Sequence, residues 1–129
     1  MSTIFTKIIN EDIPCYKIDE TDKFIAFLDI NPLVKGHTLV VPKVEVDYIF
    51  DLENQLLSEL FLFSKSVAKK IKKAIPCDRV GISVVGLEVP HAHVHLIPIN
   101  QVNDMNFSRP KLKLSNNEML ALKNLILKS

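Results

Sequence analysis

The segment Pro90-His91-Ala92-His93-Val94-His95-Leu96-Ile97-Pro98 alternates polar side chains with small or apolar ones. A period of two does not suit a helix face. It fits an extended strand, where residues i, i+2 and i+4 line one side and those between them the other. The apolar set (Ala92, Val94, Leu96) needs a core, so this strand has to sit in a sheet with one covered face. On the opposite face three imidazoles would follow one another at about 6.5–7 Å. They are three of the chain's four histidines, and no other unperturbed side chain titrates so near neutral pH.

The remaining periodicities build a sheet around that strand. Ile4, Phe5, Ile8 and Ile9 have helical spacing and predict a short amphipathic helix over 3–9, stopped near Pro14. Tyr16–Glu20 and Phe24–Asp29 read as strands joined by the turn-like Thr21-Asp22-Lys23. Asn31-Pro32 opens a loop that closes at Lys35-Gly36, and His37–Val41 forms a third strand ended by Pro42. Leu57, Leu60, Phe61, Ser64, Val67, Ala68 and Ile71 mark one long helix with lysines on its other side, ended by Pro76. Val80–Val85 is a fourth strand, Gly86–Pro90 a tight connection, and the histidine strand at 91–98 the fifth. Residues 99–114 read as loop. A last helix starts at Ser115, where Ser115-Asn116-Asn117-Glu118 has capping-box form. Five strands and one long crossing helix predict an α+β domain on an antiparallel sheet.

Composition narrows the function classes. At 129 residues the chain fits one domain, and its net charge of +1 offers no electrostatic footprint for nucleic acid or an anionic membrane. No stretch approaches the roughly 20 apolar residues of a membrane span. The N-terminus lacks a signal-like apolar region, and Cys15 and Cys77 are isolated in sequence, as free thiols are. The expectation is a cytoplasmic protein without nucleic-acid or membrane partners.

Three chemistries compete for the histidine row. It could simply pack. It could ligate a metal, since imidazole is a common ligand, but the chain has no histidine after His95 and only Glu118 as a later glutamate. Or it could act on a phosphate, one neutral imidazole attacking phosphorus while its neighbours hydrogen-bond the phosphate oxygens and move protons. Asp29 ends an aromatic and aliphatic strand, where a carboxylate can hold ribose hydroxyls beside an apolar base pocket. It could equally be a turn residue before Asn31-Pro32.

Gly36-His37-Thr38-Leu39-Val40-Val41-Pro42-Lys43 and His91-Ala92-His93-Val94-His95-Leu96-Ile97-Pro98 together resemble the histidine triad (HIT) family, nearest in layout to its HINT-like nucleoside phosphoramidases. Thr3–Ile9, Ile13-Pro14, Phe27-Leu28-Asp29-Ile30 and Met105-Asn106-Phe107 extend the likeness in the right order. The resemblance implies a HIT domain over 1–107 with a C-terminal extension over 108–129. It also implies a homodimer with joined sheets, and hydrolysis or transfer at the α-phosphate of purine nucleotides through a nucleotidyl-histidine intermediate, without metal or other cofactor. His93 is then the nucleophile, His95 a phosphate ligand, and His91 and His37 the imidazoles that orient them. Asp29 would take the ribose. Ile4, Phe5, Ile8, Ile13, Phe27, Ile30 and Leu39 would enclose the base, with Leu28 beside them. Gly86, Leu87, Glu88 and Val89 form a connection shorter than the family's Gly-rich one. Leu87 and Glu88 stand where the family has Gln and Ser. A carboxylate there repels phosphate if it points inward, and it would suit a basic leaving group such as an amine.

Overall fold

The computed structural model describes residues 2–129. Helix α1 (Ile4–Ile9) leads into strands β1 (Lys17–Glu20), β2 (Phe24–Leu28) and β3 (Thr38–Pro42). Helix α2 (Asn54–Ala74), strands β4 (Arg79–Ser83) and β5 (Val94–Ile99) and helix α3 (Asn116–Leu127) follow. The strands form one antiparallel sheet in the order β1-β2-β3-β5-β4, the α+β arrangement expected. Single 3-10 turns occupy Ile49–Asp51 and Val102–Met105, the second inside the stretch read as loop.

The register sorts side chains onto two faces. Leu28, Thr38, Leu96 and Ile82 pair across the sheet, and the next row is Phe27, Leu39, His95 and Ser83. Because successive side chains alternate, one face carries Phe24, Ala26, Leu28, Val40, Val94 and Leu96. These pack on Leu60, Phe63, Val67 and Ile71 of α2 and on Met119 and Ile126 of α3. Each large side chain buried there contributes about 1.5–3 kcal/mol. The other face carries Ile25, Phe27, Leu39 and Val41 under Phe5 of α1, and it also carries His95.

Several boundaries differ from the sequence expectations for identifiable reasons. Helix α1 stops at Asn10, four residues before Pro14. Glu11 takes a left-handed backbone (φ 65°), and the Glu11 and Asp12 amides turn back to the carbonyls of Ile8 and Lys7, a Schellman closure. In α2 the buried aromatic is Phe63, stacked on Phe24 at 5.6 Å between ring centroids, while Phe61 is exposed. At 100° per residue, Phe61 is carried off the stripe that Leu60, Ser64, Val67 and Ile71 occupy. Strand β5 begins at Val94, so His91 and His93 precede the ladder. The His91 amide closes a turn onto the Val89 carbonyl, and the Ala92 amide leaves the sheet for the Val46 carbonyl. Helix α3 starts as its sequence predicts: the Ser115 hydroxyl accepts from the Glu118 amide, and the Glu118 carboxylate accepts from the Ser115 amide. Its apolar side packs on α2 and β1 of the same chain.

Gly36 sets the entry to β3. Its φ is +96°, and an added Cβ would overlap Ile75 Cδ1 and press on Pro98. Gly36→Ala is expected to destabilise the fold by about 1–3 kcal/mol from backbone strain alone, read as a lower urea midpoint with unchanged slope.

Candidate functional site

Loss of ladder geometry at His91 and His93 draws the imidazoles together instead of scattering them. The His93 and His95 ring centroids are 4.8 Å apart, nearer than the pitch of an ideal strand face. His37, which immediately precedes β3, lies 5.2 Å from His95. Phe5 meets the His93 ring edge-on at 4.9 Å and the His91 ring at 5.7 Å. All four imidazoles are buried, from His91 at 0% exposure to His95 at 8%.

Backbone partners fix where the protons sit. The Leu33 amide donates to His37 Nδ1 (3.0 Å), so the His37 proton is on Nε2. That Nε2–H faces His95 Nδ1 at 3.0 Å, which must accept and leaves the His95 proton on Nε2. His93 Nδ1 lies 2.8 Å from the His91 carbonyl. A carbonyl can only accept, so His93 carries its proton on Nδ1 and keeps a free lone pair on Nε2. His91 Nε2–H donates to the Pro42 carbonyl (2.7 Å), and its Nδ1 accepts the Thr3 hydroxyl (2.9 Å). Among the described residues, the ring nitrogens left without a protein partner are Nε2 of His93, a lone pair, and Nε2 of His95, a donor.

Burial keeps three of these rings, His37, His93 and His95, neutral. Desolvation, helped by the His95 and Lys111 charges, lowers His37 to about 3. Desolvation and the neighbouring His93 lower His95 to about 4. His93 is lowered mainly by burial, against the hydrogen bond it donates to the His91 carbonyl. Asp29 moves the other way: burial raises its pKa, opposed by the Asn31 amide. One of its oxygens accepts from that amide at 2.9 Å, the turn role open to it from sequence. The other lies 3.7 Å from His37 Nε2.

Asp29, His37 and His95 therefore offer three potential ligand atoms within 4.8 Å of one another. The donor set does not suit a cation. Coordination through His37 Nε2 requires a lone pair there, and the Leu33 amide has already placed the proton on that nitrogen. A metal ion would have to break that hydrogen bond.

The apolar residues divide. Phe5, Phe27 and Leu39 cluster on the imidazole face, with Ile8 and Val89 partly buried at its margin. Ile8 and Ile13 line a shallow hollow of about 200 Å³ beside Ile25. Ile4 and Ile30 are exposed at 48% and 62%. Leu28 is not brought to this face: it points into the α2 core, because strand alternation sends it opposite to Phe27. Leu87 is 87% exposed, and Gly86 has φ +76° with open space around it. Glu88 is exposed, yet its charge adds to the rise of the Asp29 pKa and weakly opposes the fall of the His93 pKa.

Three contributors were not singled out from sequence. Phe107 sets its ring 4.9 Å from His95 and 6.3 Å from His37. The Lys111 ammonium lies 6.0 Å from the Phe107 ring and bonds the Phe107 carbonyl. Thr3 reaches His91. Helical spacing marked the segment 3–9 but not Thr3 itself, and the run ending at Phe107 stood out only through the family likeness, since a lone threonine, phenylalanine or lysine carries no periodic signal.

Residues 10–102 match the HIT domain family. The chain is 34% identical over 128 residues to an adenosine 5'-monophosphoramidase of Schizosaccharomyces pombe, covering 95% of this chain and 93% of the relative. Its fold is similar to that of a Hit-like protein involved in cell-cycle regulation from Bartonella henselae (TM-score 0.86, 27% identity, 98% and 95% of the two chains). It is also similar to a hypothetical histidine triad nucleotide-binding protein from Sulfolobus tokodaii (TM-score 0.82, 29% identity, 96% and 89%). With the family match spanning the imidazole cluster and all five strands, this chain belongs to the HIT domain family.

Proposed function

We propose that the protein is a nucleotide hydrolase or transferase acting at the α-phosphate of purine nucleoside phosphoramidates or related conjugates, through a nucleotidyl-His93 intermediate. The observation that carries this reading is a pair of unpartnered nitrogens on adjacent rings, their centroids 4.8 Å apart: the lone pair of His93 Nε2 and the N–H of His95 Nε2. One is a nucleophile that needs no deprotonation, the other a donor for the charge on a phosphate oxygen. In the first step His93 Nε2 bonds to phosphorus, the phosphorus–nitrogen bond to the leaving amine breaks, and the amine departs with one added proton. In the second, water attacks phosphorus, gives up one proton, and the bond to His93 breaks. The sum is addition of water across the phosphoramidate. Asp29 is the proposed ribose ligand, and Phe5, Ile8, Phe27 and Leu39 are the proposed base contacts, with Ile4, Ile13 and Ile30 at the rim. The phosphoramidase relative supports this substrate class.

The reading includes a homodimer joined along β4, the outermost strand of the sheet. One edge of β4 has no neighbour, and Ile82 and Val85 are exposed there. An apolar groove of about 840 Å³, lined by Phe50, Leu57, Phe61, Leu62, Val84 and Val85, continues that edge toward α2. Unpaired edges next to apolar surface favour strand-to-strand association. Sedimentation is expected to give twice the 14.6 kDa chain mass, and Ile82→Glu to give monomers. A monomeric parent protein would remove this part.

His93→Ala is expected to lower turnover of an adenosine phosphoramidate by a factor on the order of 10⁴ or more, with AMP affinity within about threefold of the parent. AMP binding by the parent protein, without turnover across a panel of leaving groups, would point instead to a nucleotide-binding module. The pH profile carries a sign. A nucleophile whose pKa is lowered from 6.5 stays unprotonated as pH falls through 6.5. The acid limb of kcat/KM is therefore expected below that value, and a limb above it would contradict a desolvated neutral His93.

A further inference from the structure

His91 has no open nitrogen and touches no reacting atom in the scheme above, yet its carbonyl fixes the tautomer of the proposed nucleophile. What holds His91 is therefore part of how His93 is aimed. Its ring is pinned at both ends: Nε2–H to the Pro42 carbonyl at the end of β3, and Nδ1 to the Thr3 hydroxyl. Thr3 is itself buried, 8% exposed, and is the N-cap of α1, its hydroxyl oxygen accepting from the Thr6 amide at 3.1 Å. The Thr3 amide donates to a Glu45 carboxylate oxygen (3.1 Å), and the Thr6 hydroxyl donates to the same oxygen. Each proton is thereby assigned. The Thr3 hydroxyl proton goes to His91 and the Thr6 hydroxyl proton to Glu45, so the 3.3 Å contact between the two hydroxyl oxygens holds no proton. Thr3 is left with one task for its hydroxyl hydrogen.

We infer that Thr3 is a positioning residue for the triad: its hydroxyl, held by Glu45 through the N-terminus of α1, locks the ring and tautomer of His91 and so the aim of His93. This rests on the nucleophilic reading of His93. The same helix carries Phe5, whose ring lies against both His91 and His93 and joins Phe27 and Leu39 in the apolar cluster. One short helix thus sets a wall of the proposed base pocket and the orientation of the histidine behind the nucleophile. A valine at position 3 keeps the shape of threonine and removes the donor. It leaves His91 Nδ1 buried without a partner and deprives the Thr6 amide of its cap. Serine restores both bonds.

The test compares Thr3→Val and Thr3→Ser with the parent protein in phosphoramidase kinetics and in nitrogen NMR of the free protein. Thr3→Val is expected to lower kcat about tenfold, the equivalent of one neutral hydrogen bond. KM should stay within about twofold, and Thr3→Ser should return kcat to within about twofold of the parent. In the spectra the His91 Nδ1 resonance should shift in Thr3→Val alone, while the His93 Nδ1–H signal broadens or moves. Parent kcat in Thr3→Val, equal losses in Val and Ser, or a change confined to KM would overturn the inference; a KM effect alone would make α1 only a pocket wall. If valine prevents folding, Glu45→Ala, which loosens Thr3 without removing its hydroxyl, carries the comparison, with a smaller kcat loss and a smaller His91 Nδ1 shift expected. An inactive parent protein would sink the phosphoramidase reading, while an unmoved His91 resonance in Thr3→Val would sink the role of Thr3.

Discussion

Four imidazoles buried against aromatic rings can stay ordered only if their nitrogens find partners inside the protein, and the rest of this site follows from how that demand is met. An unpartnered buried polar atom costs about 1–3 kcal/mol, and among the described residues no fully buried side-chain nitrogen or oxygen lacks a hydrogen bond. Backbone groups supply most of the partners: the Leu33 amide, the Pro42 carbonyl and the His91 carbonyl. Peptide groups cannot exchange donor for acceptor. They therefore impose one tautomer on each ring and leave two nitrogens, Nε2 of His93 and Nε2 of His95, without a protein partner.

The same demand explains why two of the three triad histidines lie before the strand. In a regular ladder the His91 carbonyl and Ala92 amide would be engaged with β3 or β4. Released from it, the carbonyl turns to His93 and the amide to Val46. Irregular backbone here creates the acceptor that fixes the tautomer of His93. Burial also holds the pKa of His93 down, so its ring is neutral without a charged neighbour to keep it so. Lys111 acts in the same direction on His37 and His95, from a segment beyond the residues that match the family.

The two faces of the sheet divide the work. Leucine, valine and phenylalanine on the α2 side hold the fold together, and α3 closes that core through Met119 and Ile126. The imidazole side is covered by a six-residue helix and the Phe107 turn in place of a long helix. Helix α1 is short, and its order depends on tertiary bonds from Glu45 and His91 rather than on its own propensity. The covering of the site is thus tied to the histidines it covers.

Much of this was legible in the residues. Alternation predicted the strands, the 3.6 period predicted α2, and Ser115 to Glu118 predicted the start of α3, because these signals are local and repeat. The histidine row and Asp29 stood out because titratable side chains among apolar ones are chemically conspicuous. Local pattern could not place Phe63 in the core in preference to Phe61, send Leu28 away from the pocket, or end α1 at a left-handed Glu11. Those outcomes depend on which neighbour arrives from elsewhere in the chain. Nor could it assign a proton to any ring. Tautomers are set by amides and carbonyls 2 to 49 residues away, and by Thr3 at a separation of 88. The sequence by itself determined which groups are available for chemistry. Only the folded backbone, by offering a donor to one nitrogen and an acceptor to another, decided which of them is free to react.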